Sequence, residues 1–250
     1  MAKILLEICA ASLEDCLAAQ AGGADRIELN CGLMLGGLTP SLGTLIEACR
    51  QVQAPIISMI RPRPGGFCYS PSEFTVMQRD LDLMLQHGAR GIAFGILTGE
   101  GEIDLPRCRQ IIAQAGGREV VFHRAFDVTP DPVKALEQLI ELGVKRVMTS
   151  GQEASAYNGA RKIAEFVRQA AGRIEILPAG GINRFTLADV LERTGCNQVH
   201  ASLSMSKTDA STRSRPQVAF GGSLTPPEDR FTTTDPQAVT ALRQRLEAQP

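Results

Sequence analysis

The chain has 250 residues, 44% apolar, 21% charged and 4% aromatic, with 26 Lys+Arg against 27 Asp+Glu and a net charge of −1. That balance suits a soluble globular protein with a sizeable core. It excludes a wholesale basic excess for nucleic acid and any apolar run long enough to span a bilayer. Met1 to Lys3 leads straight into Ile4-Leu5-Leu6-Glu7, without a charged-then-apolar leader, and the seven cysteines show no CxxC spacing. The expectation is a cytoplasmic protein in a reducing compartment, without a disulfide framework and with neither nucleic-acid nor membrane partners.

In chain order, the patterning predicts a strand over 4–9, a helix over 12–21 and a strand over 26–30. A helix over 41–51, a strand over 55–61, a helix over 71–87 and a strand over 91–96 follow. Next come a helix over 104–115, a strand over 119–124, a helix over 132–142 and a strand over 145–149. The last elements are a helix over 155–170, strands over 174–178 and 197–201 around a helix over 186–193, and a helix over 235–247. The punctuation is regular: AQAGGADRIELN, QHGARGIAFG, ELGVKRVMTS, AAGRIEILPA and ERTGCNQVHA each place glycine between a helix end and a strand start. Thr39-Pro40, Ser70-Pro71, Asp131-Pro132 and Asp235-Pro236 each put a capping oxygen before a proline, and Ser70 with Glu73 has capping-box spacing.

Eight alternating β and α elements predict a single α/β domain over 1–250, a (β/α)8 TIM barrel. A doubly wound open sheet is the alternative, although no GxGxxG follows the first strand. Residues 203–234, rich in Ser and Thr and containing Pro226-Pro227, are expected to form a long irregular loop after the eighth strand, before the C-terminal helix. In a barrel that loop lies on the active-site face; a surface excursion or an oligomer arm is the alternative.

Alternation along the strands decides which side chains enter the barrel. Leu6 and Ile8 should face the helices, and Ile27 and Leu29 likewise, leaving Glu7, Cys9, Glu28 and Asn30 inward. Arg61 follows Met59 in parity, and His123 and His200 end the fifth and eighth strands. Such a mouth holds acid/base candidates in Glu7, Glu28 and His123, with Arg61, Arg63, Asp127 and His200 placed to bind a small anionic ligand. The structural alternative is that buried Glu28 and Arg61 neutralise each other. Gly180 and Gly181 follow the seventh strand as backbone N–H donors for phosphate or as a tight turn. Cys9 and Cys31 are thiols at neighbouring strand ends, and thiolates are soft ligands that select Cu(I). Cys16, Cys49 and Cys108 fall in helices, as small buried hydrophobes do.

These blocks resemble one family, the copper homeostasis protein CutC family. The likeness rests on Leu6-Glu7-Ile8-Cys9, Gly23-Ala24-Asp25-Arg26-Ile27-Glu28-Leu29 and Gly36-Gly37-Leu38-Thr39-Pro40-Ser41. It continues through Ile60-Arg61-Pro62-Arg63, Phe122-His123-Arg124-Ala125-Phe126-Asp127, Leu142-Gly143 and Thr149-Ser150-Gly151-Gln152, and runs from about residue 4 to 202. The resemblance implies a cytoplasmic TIM-barrel protein, a homo-oligomer, associated with copper tolerance and Cu(I) binding, the metal falling to Cys9 and Cys31. Family members often carry cysteine directly after the Glu-Leu of the second strand. Here that position is Asn30 and the cysteine comes one residue later, where a continuing strand points it the other way. The residues taken alone lean toward an enzyme with acid/base groups acting on a phosphorylated or carboxylated small molecule, and the resemblance leans toward copper.

Overall fold

The computed structural model describes residues 3–221 and 227–248, so Pro226 lies outside the described residues. Proline in the first helical turn and an oxygen before it set four of the eight helix starts among the described residues. Thus β1 (Leu5–Ala10), α1 (Leu13–Ala21), β2 (Arg26–Leu29), α2 (Leu42–Gln51) and β3 (Ile56–Met59) lead to α3 (Pro71–Gln86), where Ser70 and Glu73 form the capping box. Then come β4 (Gly91–Phe94), α4 (Leu105–Gln114), β5 (Glu119–Phe122), α5 (Pro132–Glu141) and β6 (Arg146–Thr149). The barrel ends with α6 (Ala160–Ala170), β7 (Glu175–Pro178), α7 (Leu187–Thr194) and β8 (Gln198–Ala201). Thr39 does not cap a helix: α2 is capped by Ser41, and the Thr39 hydroxyl instead accepts the Arg61 backbone N–H at 2.9 Å. The sixth helix begins five residues later than its periodicity suggests, because Ala156 N–H is drawn to the Gly180 carbonyl at 2.9 Å.

The eight strands are parallel in the order β7-β6-β5-β4-β3-β2-β1-β8, and a parallel bridge between Ala179 and His200 brings the two ends together. This is the (β/α)8 barrel, not the open sheet. Leu6, Ile8, Ile27 and Leu29 pack into the layer between strands and helices, as alternation requires. The barrel interior is divided. Ile57, Met59, Ala93, Val121, Met148 and Leu177 fill one side, whereas Glu7, Arg26, Glu28, Gln198 and His200 are buried on the other.

The 203–234 segment differs from its expected irregularity at both ends. Residues Ser204–Thr208 form β9 and Arg230–Thr234 form β10, paired antiparallel with Ser204 opposite Thr234. Their sequences, SMSKT and RFTTT, carry no apolar alternation, because the ribbon stands on the surface instead of covering a core. Its base is fixed by Asp15, whose carboxylate accepts the Thr233 hydroxyl at 2.8 Å and the Thr234 N–H at 2.6 Å.

Helix α8 (Pro236–Glu247) closes the far end of the chain onto the first strands. Buried Arg243 pairs with Asp25 and donates to the Gly23 carbonyl at 3.0 Å. Asp25 also accepts the Leu6 N–H at 2.8 Å and pairs with Lys3. Partial burial alone would raise the Asp25 pKa, but Lys3, Leu6 N–H and Arg243 outweigh it and hold the carboxyl below its ordinary value. A carboxyl depressed in the folded state stabilises above its unfolded pKa of about 4, and that contribution is lost as pH falls through the folded value. The urea midpoint of Asp25→Asn is therefore expected below that of the parent at pH 7, with the gap narrowing below about pH 4. A gap independent of pH would show that the carboxylate charge is not what fastens α8.

Candidate functional site

Register builds the site. Glu7 of β1 lies opposite Arg26 of β2 and His200 of β8, and Cys9 lies opposite Glu28. These side chains all point into the barrel, so neighbours in register become partners. Arg26 Nε donates to Glu7 Oε2, and the other oxygen, Oε1, lies 2.8 Å from His200 Nδ1. The Nε2 of His200 lies 3.9 Å from Glu28 Oε2. Below this chain, Arg26 Nη2 and Arg146 Nε both donate to Gln198 Oε1, at 3.0 and 3.1 Å, and Arg146 also pairs with Glu175 and Glu119.

The electrostatics follow from burial and order of charges. Burial pushes the Glu7 carboxyl up, but Arg26, then His200, then Arg146 pull it down to about 2, so it is ionised. Burial disfavours a charged His200, yet Glu28, Cys9 and Glu7 around it hold its proton well above the usual imidazole range. Glu28 is raised: burial and the neighbouring Glu7 charge outweigh the pull of His200, the Asn30 amide and Arg26. Burial likewise raises the Cys9 thiol. His123 is the opposite case, lowered to about 3 by burial and by the Arg61 charge, and therefore neutral.

A cavity of about 230 Å³ opens at the C-terminal ends of the strands. Cys9, Glu28, Asn30, Arg61, His123 and His200 all line it, with Phe67 and Met148 as apolar walls. Glu28 and Arg61 do not neutralise each other. Glu28 Oε2 accepts the Asn30 amide at 3.0 Å, while the Arg61 guanidinium is spent on the carbonyls of Leu35, Gly37 and Gly65 at 3.1, 3.0 and 2.7 Å. Three of its five N–H groups are thus engaged, leaving Nε–H and one Nη2–H on the side-on edge of the guanidinium. Two glycines make room. A Cβ on Gly37, whose φ is +82°, would meet Asn30 Oδ1 at 2.5 Å, and one on Gly95 would meet His123 Cε1 at 2.4 Å.

The remaining sequence candidates lie elsewhere. Glu7 is buried beneath the cavity. Arg63 is on the rim, bound to Glu73 and to the Pro64, Gly66 and Cys68 carbonyls. Asp127 is saturated by Thr149 Oγ1 at 2.5 Å, Arg124 Nε at 2.8 Å and the N–H groups of Ser150 and Gln152. Gly180 and Gly181 adopt φ of +97° and +72°, and their carbonyls accept Ala156 N–H and Thr186 Oγ1, the geometry of a tight turn. Cys31 donates its thiol to the Thr39 carbonyl at 3.0 Å, away from Cys9. The position that faces the Cys9 thiol is Asn30, whose amide nitrogen is 3.5 Å from Cys9 Sγ. Cys9, Glu28 and His200 offer ligand atoms within 4.8 Å of one another.

Sequence reasoning missed Arg26, Gln198 and Arg146, which precede Glu28, His200 and Met148 by two residues and share their parity; extending the alternation toward the strand starts would have found them. It also missed Arg124, which lines the cavity while bonding Ser150 Oγ at 2.7 Å. Because three backbone carbonyls of two mouth loops depend on Arg61, Arg61→Met should destabilise the fold by on the order of 3 kcal/mol, charged hydrogen bonds contributing about 1.5–3 each before relaxation. Urea unfolding measures this, and an unchanged midpoint would reduce those contacts to decoration.

The CutC family model matches residues 4–205. A family protein CutC from Treponema denticola is 48% identical over 246 residues, 98% of this chain and 100% of that protein. The human copper homeostasis protein cutC homolog is 42% identical over 238 residues, 95% of this chain and 87% of that one. Among solved structures, a CutC copper homeostasis protein from Streptococcus agalactiae superposes with a TM-score of 0.75 at 33% identity, over 79% of this chain and 97% of that chain.

Proposed function

The chain belongs to the CutC family, whose curated relatives carry the name copper homeostasis protein, and from that premise we propose that it binds Cu(I) at the barrel mouth, in the cytoplasm, through Cys9 and His200. The observation that carries the reading is the convergence of the Cys9, Glu28 and His200 ligand atoms within 4.8 Å. The donor chemistry fits. A thiolate is soft and an imidazole borderline, a pair suited to Cu(I), and the Glu28 carboxylate offsets the positive charge of the ion. Glu7 supplies the outer support: its hydrogen bond to His200 Nδ1 fixes the ring and leaves Nε2 as the nitrogen that faces the cavity.

Metal entry displaces a proton from His200 Nε2 and from Cys9 Sγ, since only the deprotonated groups are ligands. The proton on His200 thus occupies the place of the metal, balancing the same two carboxylates. Cys31 is outside this donor set, because its thiol is turned to the Thr39 carbonyl.

In a competition titration against a Cu(I) chelator, Cys9→Ser should bind at least about tenfold more weakly than the parent, loss of one soft ligand being worth 1.4 kcal/mol or more. Cys31→Ser should bind as the parent does. Parent-like affinity in both Cys9→Ser and His200→Gln would remove Cu(I) from the mouth.

A further inference from the structure

Four buried polar atoms at the mouth have no hydrogen-bond partner among the described residues: Glu28 Oε1, Asn30 Oδ1, Arg61 Nε and His123 Nε2. All four side chains line the same 230 Å³ cavity. One such atom costs about 1–3 kcal/mol, so four on side chains that line one cavity call for partners that a ligand held there would supply. Their chemistry specifies that ligand. The Ala125 N–H donates to His123 Nδ1 at 3.1 Å, so the proton of this ring is on Nε2 and the unpartnered atom is a donor. Arg61 has spent three of its five N–H groups on carbonyls, and its Nε, which has no partner, is a donor. Glu28 Oε1 and Asn30 Oδ1 are acceptors. The cavity therefore offers two donors, an acceptor that is a base, and a neutral acceptor.

We propose that the mouth is also an active site for proton transfer beside a carbonyl, acting on a short-chain α-hydroxy aldehyde or ketone, with Glu28 as the base. The carbonyl oxygen takes the two donors, His123 Nε2–H and Arg61 Nε–H, and the substrate hydroxyl donates to Asn30 Oδ1. Glu28 Oε1 removes the proton from the carbon between carbonyl and hydroxyl. The C–H electron pair becomes the new C=C bond and the carbonyl π pair moves onto oxygen, where the two donors stabilise the enediolate. Returning the proton from Glu28 to the former carbonyl carbon, as the hydroxyl proton passes to the enolate oxygen, gives the isomeric hydroxy carbonyl. Returning it to the original carbon restores the substrate. Atoms and electrons balance within substrate and protein, and no co-reactant enters.

One observation narrows the substrate. The cavity is smaller than the roughly 300–1,000 Å³ usual for ligand pockets, which selects a short chain. A carboxylate base facing a neutral imidazole donor is an established pairing for this chemistry on other proteins.

The test uses the full chain, stripped of copper and kept with a Cu(I) chelator, so its result is independent of whether the mouth also binds Cu(I). Glycolaldehyde, hydroxyacetone, glyceraldehyde and dihydroxyacetone are incubated with it in D2O, and proton NMR follows loss of the signal beside the carbonyl and interconversion of the last two. Exchange above the buffer rate is expected for at least one probe, falling by about 10²-fold or more in Glu28→Gln. His123→Gln is the second variant, expected to fall by about 10²-fold through loss of the oxyanion donor. Exchange at the buffer rate for all four probes with natively folded parent protein overturns the proposal. So does a folded Glu28→Gln or His123→Gln variant that exchanges as fast as the parent.

Discussion

The Glu7 carboxylate is the constraint around which the barrel interior is arranged. It is ionised in a space closed to water, and a buried charge is tolerated only when paired and hydrogen-bonded. Its two oxygens meet that demand in opposite directions, one toward Arg26 and one toward His200. Each partner then needs its own neighbours. Arg26 reaches Gln198, which also takes Arg146, and Arg146 reaches Glu175 and Glu119 at the strand starts. On the other side, the charge on His200 is balanced by Glu28 at the mouth. One carboxylate on β1 thus links the floor of the barrel to its opening, and parallel register is what allows it, since Glu7 has Arg26 and His200 as its register partners.

This arrangement explains why chemistry gathers on one side. Strands β3 to β7 contribute mostly apolar side chains to the interior, Arg146 at the start of β6 excepted, whereas β8, β1 and β2 contribute Glu7, Arg26, Glu28 and His200. The cavity lies where the halves meet, with Met148 and Phe67 against Glu28, His200 and Cys9. The proposed metal binding and the proposed proton transfer draw on the same residues for the same reason. A site that stabilises an imidazolium between two carboxylates is pre-organised for another small cation, and a carboxylate oxygen left without a partner in that site is available to a proton from elsewhere.

Much of this was legible in the sequence. Glycine-ended helices and proline-led starts located the barrel, and two-residue alternation placed Glu7, Cys9, Glu28, Asn30, Arg61 and His123 in the interior, because every strand is covered by helices on one face. Parity gives direction but not partner. That Arg61 would turn to loop carbonyls, and not to Glu28, depends on the chain path through Gly36 and Gly37. That Asp127 would be consumed by Thr149 and Ser150 depends on how the loops after β5 and β6 meet. The β9–β10 ribbon left no periodic signal since neither of its faces covers a core, and its anchor, Asp15, lies more than two hundred residues away in sequence.

An amide in place of a thiol directly after β2 has a physical consequence beyond counting ligands. An inward cysteine in that place would set two polarizable sulfurs beside Glu28. Asn30 instead donates to Glu28 Oε2 and lies against Cys9 Sγ, so it holds the carboxylate in one orientation and turns its other oxygen free. The cysteine that follows cannot restore the pair, because one residue along a strand is the other face, and there Cys31 is bound to the Thr39 carbonyl. The mouth of this chain is in consequence harder and more polar than a two-thiol site would be. It brings one sulfur, one nitrogen and one oxygen within 4.8 Å of one another, with a fixed carboxylate and a neutral imidazole donor on the wall of the same cavity.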